Sequence, residues 1–132
     1  MTAKAFLIIV AILAAIFGLG MLLAPGECLA TLGVTPDVSG DVAGRIAGTA
    51  LIGLAVGFWY ARDADLSGMM SPAAKGVLYG GCIFNILGVI VAVWATIAGR
   101  IGPMGWVLAA IHLILAVGFI YFAEGKRSMA RA

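Results

Sequence analysis

Two residues stand out as candidates for chemistry, Asn85 and His112, because each is a strongly polar side chain near the middle of a long apolar segment. An imidazole so placed can ligate a metal, a haem or a chlorophyll-type pigment, or relay a proton, and ionisable groups inside a membrane are functional candidates by default. The competing role is structural: an amide and an imidazole satisfy one another, or a neighbouring carbonyl, and fix helix register for roughly 0.6–2 kcal/mol. The chain contains a single histidine, so it does not supply both axial ligands of a haem. Leu108, four residues before His112, leaves a flat pigment ring no obvious room on that side. Every acidic residue lies in a loop or tail, so the buried carboxylate required for proton-coupled export is missing from the apolar segments.

Catalytic sets of the soluble type are equally hard to assemble. There is no H-E-x-x-H, no phosphate-binding glycine loop and no serine in a nucleophile-elbow setting. Cys28 and Cys82 have neither C-x-x-C spacing nor companion histidines, and read as free thiols. Adjacent Met69 and Met70, without histidine or cysteine beside them, suit an interfacial contact better than copper. The expectation is a non-enzyme with no metal and no cofactor, and no basic run interleaved with aromatics points to nucleic acid.

Of the 132 residues that hold them, 64% are hydrophobic and 11% charged, against about 25% charged in ordinary soluble domains. With a mean hydropathy of +1.16, the reading is an all-α integral membrane protein, a single transmembrane domain over residues 1–132. Four spans are predicted, at about 5–24, 42–61, 76–98 and 103–123, each near the roughly 20 residues a helix needs to cross a bilayer. The first is read as a retained span because its apolar run exceeds the 7–15 or so residues of a signal peptide. Between the first two, Pro25 with Leu29, Leu32 and Gly33 predicts a short helix along the membrane surface. Thr35-Pro36-Asp37 and Ser39-Gly40-Asp41 read as turns, with Asp41 capping the second span and meeting Arg45 one turn on. Ser71-Pro72 opens the third span, and Gly99-Arg100-Ile101-Gly102-Pro103 turns it back into the fourth.

Orientation follows from the basic residues. With the N-terminus inside, Lys4, Arg62, Lys75, Lys126, Arg127 and Arg131 collect on the inner side, leaving Arg45 and Arg100 outside as interfacial anchors. Both termini are therefore expected in the cytoplasm. Trp94 and Trp106 belong at one interface, Tyr79 and Tyr121 at the other. On this arrangement Asn85 is about 13 Å from the inner end of its span and His112 about 13 Å from the outer end of its own. In a core about 30 Å thick the two depths nearly coincide.

Small residues recur every three or four positions on these spans. Gly81, Gly88, Ala92, Gly105, Ala109 and Ala116 predict a close seam between the third and fourth, with Phe119 over the space left by Gly81. On the second span Gly44 and Gly48, then Thr49, Gly53 and Gly57, predict a close helix contact. A further pattern is an internal echo: Leu54-Ala55-Val56-Gly57-Phe58-Trp59-Tyr60 matches Leu115-Ala116-Val117-Gly118-Phe119-Ile120-Tyr121 at all but one position. Two duplicated helical hairpins would explain it, although the first and third spans do not match comparably.

The run Ala43-Gly44-Arg45-Ile46-Ala47-Gly48, continuing through Leu51-Ile52-Gly53-Leu54 to Trp59-Tyr60-Ala61-Arg62-Asp63, resembles small bacterial four-helix membrane proteins of unknown function, loosely DoxX-like. These also show a proline ending the first span, here Pro25, before a short Leu-Gly segment. The resemblance covers nearly the whole chain and implies the bacterial cytoplasmic (inner) membrane; some DoxX-like proteins are associated with membrane oxidoreductase complexes, which implies an accessory role, with no functional residue carried over. The function expected is an accessory or structural subunit packing against a larger membrane-protein partner or a homo-oligomer. The alternatives are a binder of a lipid, quinone or pigment near His112, and a small-solute transporter lined by Asn85, His112, Thr49 and Thr96.

Overall fold

The computed structural model describes residues 1–35, 37–64 and 70–124. Pro36, Met69, Lys126, Arg127 and Arg131, which entered the reading of the loops and of orientation, lie outside the described residues. Five helices and no strands occur among the described residues: α1 (Ala3–Leu23), α2 (Pro25–Thr31), α3 (Val38–Ala61), α4 (Pro72–Ile97) and α5 (Met104–Glu124). All but α2 are long and apolar enough to cross a membrane. Large apolar side chains such as Ile16, Ile46, Val91, Ile97, Ile114 and Val117 are more than half exposed along them. A soluble protein buries such residues, whereas lipid accommodates them.

The helix ends follow from capping chemistry. Thr2 accepts from the Ala5 amide at 3.2 Å to open α1, and Ser71 accepts from the Ala74 amide at 3.2 Å to open α4, with Pro72 as its first residue. Pro25 starts α2, and Gly33, at φ 77°, turns the chain out of it in a conformation that favours glycine. One expectation is corrected at α3. Its cap is Asp37, whose Oδ1 accepts from the Gly40 amide at 2.7 Å, and Ser39-Gly40-Asp41 is the first helical turn rather than a turn before the helix. Asp41 then sits at the positive end of the helix dipole and pairs with Arg45 at 2.9 Å, which lengthens the second span by a turn.

Helix α1 packs chiefly against α3, and α4 against α5. Gly48 makes the first pairing close: a Cβ there would lie 2.6 Å from Leu22 N and 2.7 Å from Gly18 O. At the end that carries the start of α1, the two pairs meet in an apolar cluster. Phe6 and Leu7 of α1, Phe58 of α3, Leu78 of α4 and Phe119 of α5 interlock there, with Leu7 and Phe119 fully buried. Met70 is buried in the same cluster, as a core side chain. At the same end Lys4 Nζ meets Asp63 Oδ1 at 2.6 Å, and at the opposite end the Gly102 amide donates to Leu32 O at 2.6 Å, tying the α4–α5 turn to the end of α2.

Candidate functional site

Asn85, about midway along α4, is 2% exposed, and no other polar or charged residue is buried among the described residues. Burial of an amide in hydrocarbon requires that its hydrogen bonds be made internally. Asn85 Nδ2 donates to the carbonyl oxygen of Gly81, one turn back, at 2.8 Å. Its Oδ1 stands 2.9 Å from His112 Nδ1 on α5. The structure therefore brings the two polar residues together across the α4–α5 seam.

The small residues around them explain why the helices come close enough. A Cβ at Gly88 would lie 2.7 Å from His112 Cγ and Nδ1, so the imidazole lies against the backbone of α4 where a side chain would otherwise stand. A Cβ at Gly81 would lie 2.5 Å from Phe119 Cε1 and Cζ. Ala92, Ala109 and Ala116 are buried on the α4 and α5 sides of the seam, and Gly105 accommodates Thr96 and Ile101 near the turn. Thr96 Oγ1 donates to Ala92 O at 2.7 Å, which uses its hydroxyl within its own helix. Phe84, 40% exposed, stands beside the imidazole with ring centroids 5.9 Å apart and planes at 65°.

Two residues expected in helix packing are not packed within the chain. A Cβ at Gly53 or Gly57 would meet nothing within 4 Å. The reason is angular: at about 3.6 residues per turn, the five-residue step from Gly48 to Gly53 rotates the stripe by about 140°, away from the face that holds Gly44 and Gly48 against α1. Gly53 and Gly57 instead line an open groove of about 330 Å³ between α3 and α4, opposite Gly76, Gly80 and Gly81.

The interfacial residues divide between the two ends. Trp94 and Trp106, 62% and 52% exposed, stand at the end where α4 turns into α5. Arg45 is anchored: Nε donates to Asp41 Oδ2, and Nη1 donates to Leu22 O at 2.7 Å, satisfying a carbonyl at the end of α1. Arg100, in the α4–α5 turn, is exposed and makes no side-chain bond among the described residues. At the other end Arg62 lies over the Trp59 ring at 4.1 Å, and Tyr79 donates to Glu124 Oε1. Sequence reasoning missed these last contacts and the Lys4–Asp63 pair. The Lys4–Asp63 and Tyr79–Glu124 contacts join residues far apart in the chain, whose lateral placement no periodicity encodes, whereas Trp59 and Arg62 are three apart at one helix end.

Cys28 is partly exposed on α2 and Cys82 is buried on α4, both as free thiols. No three His, Cys, Asp or Glu side chains converge among the described residues in a way that could hold a metal ion. No protein-family model, curated protein or solved structure matches the chain.

Proposed function

We propose that the protein is a non-catalytic accessory subunit of the bacterial cytoplasmic membrane, a four-helix transmembrane bundle with both termini in the cytoplasm and α2 lying along the outer surface. Its task is to pack against a larger membrane protein or another copy of itself. The observation that carries this reading is the open groove between α3 and α4. Four of its glycines, Gly53, Gly57, Gly76 and Gly80, are exposed and approached by no side chain. Between membrane helices no hydrophobic drive operates, so association relies on close backbone approach at small residues. A glycine-lined groove suits the ridge of an incoming transmembrane helix. The positive-inside distribution of Lys4, Arg62 and Lys75 against Arg45 and Arg100 supports the orientation, and the resemblance to small DoxX-like membrane proteins agrees with an accessory role.

The test is extraction of the full chain from its native membrane in a mild detergent, followed by measurement of particle mass. The wild-type chain should run with a stoichiometric partner or as a homo-oligomer. Replacement of Gly53 and Gly57 together by leucine fills the groove and should release a monomer whose thermal unfolding is unchanged. A wild-type monomer in native lipid would sink the proposal.

A further inference from the structure

Asn85 is held in one orientation by its bond to α4. Only the amide nitrogen can donate to the Gly81 carbonyl, so Oδ1 is the atom turned toward His112 Nδ1. An amide oxygen has no hydrogen to give, and Nδ1 therefore carries one and donates it. A neutral imidazole carries a single N–H. The consequence is a fixed tautomer: the hydrogen is on Nδ1, and Nε2 keeps a free lone pair.

That lone pair has no partner among the described residues. The ring is half-buried, its Cγ–Nδ1–Cε1 edge pressed on Gly88, while Phe84 beside it is exposed. An accessible hydrogen-bond acceptor in hydrocarbon is uncommon, because most polar groups there are paired internally. A hydroxyl dissolved in the membrane has no water to donate to and gains a bond at such a nitrogen, whereas an ether or carbonyl oxygen offers only a second lone pair.

We propose that His112 Nε2 is a binding site for the hydroxyl group of a hydrophobic molecule, which seats against Phe84 and is selected as a hydrogen-bond donor. The site is separate from the α3–α4 groove and does not depend on the partner proposed for it. Two sources offer this chemistry, a phenol bearing a hydrocarbon tail and the free hydroxyl of a diacylglycerol.

The experiment uses the full chain in lipid nanodiscs with ¹⁵N-labelled histidine, which reports on His112 alone because the chain has one histidine. Before any addition, Nδ1 should resonate as protonated and Nε2 as unprotonated. Titration with 4-nonylphenol should shift the Nε2 signal saturably, and its methyl ether, matched in bulk but lacking the donor, should bind about tenfold more weakly, the difference expected of one hydrogen bond. Dioleoylglycerol identifies the source: binding tighter than that of the phenol assigns the site to a lipid hydroxyl, and weaker binding assigns it to a phenol. An Nε2–H tautomer in the wild-type chain, equal binding of phenol and ether, or no saturable shift with either hydroxyl compound overturns the proposal. Asn85→Leu should release the tautomer into a mixture; the decisive comparisons are made on the wild-type chain and do not require that variant to fold.

Discussion

The rings of Phe58 and Phe119 stand 5.3 Å apart at 40°, and the two residues hold the same place in the repeated heptapeptides Leu54–Tyr60 and Leu115–Tyr121. Phe6 adds an edge-on contact to Phe119 at 5.0 Å and 80°. Phe119 is thus enclosed by two other aromatic rings and by the backbone of Gly81, with no exposed surface. Phe119 thus sits at the centre of the cluster in which the two helix pairs meet.

Because the ring has nowhere to retreat, Gly81→Ala is expected to destabilise the protein by about 1–3 kcal/mol, the usual cost of overpacking. Gly80→Ala, one position away with nothing within 4 Å of its Cβ, should be neutral or slightly stabilising. Unfolding in detergent followed by circular dichroism compares the two. Equal losses would mean that Phe119 moves freely and that the aromatic cluster is not the rigid centre.

The Asn85–His112 bond predicts energetic coupling between α4 and α5. Asn85→Leu leaves His112 Nδ1 without its acceptor, and His112→Leu leaves Asn85 Oδ1 without its donor. In a double-mutant cycle the pair should show a coupling of about 0.6–2 kcal/mol. Additivity within about 0.5 kcal/mol would indicate that the contact contributes nothing to the seam.

The meeting of Asn85 and His112 was legible in the sequence because helices that cross a membrane are rods of fixed rise. Counting residues from each end gives depth. The Gly81–Phe119 and Gly88–His112 contacts were legible in kind, since a small residue opposite a bulky one is how such helices approach. The start of α3 was not, because Ser39 and Gly40 are turn formers that a strong cap at Asp37 draws into the helix. Gly53 and Gly57 show the deeper limit. Spacing identifies a face of a helix but not what lies opposite it, and the neighbour of that face is set by how two helix pairs meet.

Acid should weaken the tie between α1 and the turn that follows α3. The Lys4 ammonium bonded to Asp63 holds that carboxyl below its ordinary value, assisted by Arg62 at 3.3 Å. A carboxylate depressed in the folded state contributes stability above its unfolded value and loses it as pH falls through the folded one. Wild type should therefore exceed Asp63→Asn in stability at neutral pH, and the two should converge as the pH is taken below the ordinary range of a carboxylate near 3.8. Both partners are exposed, so the margin should be small and should shrink in high salt. A margin unaffected by pH would assign the effect of the substitution to something other than charge.

Thiol labelling tests the orientation from two positions that the fold places on one face. The Gly102 amide bond to Leu32 O joins the α4–α5 turn to the end of α2, so Cys28 and a cysteine introduced by Arg100→Cys should lie on the same side of the membrane. With both termini in the cytoplasm, that side is external. A membrane-impermeant maleimide added to intact cells should label the exposed turn quickly and Cys28 more slowly, its sulfur being partly covered close to Gly20. Cys82, buried in α4, should react only after denaturation. Labelling of both external positions only after the cells are opened would invert the topology while leaving the fold intact; labelling of one without the other would break the contact between Leu32 and Gly102 on which the shared face depends.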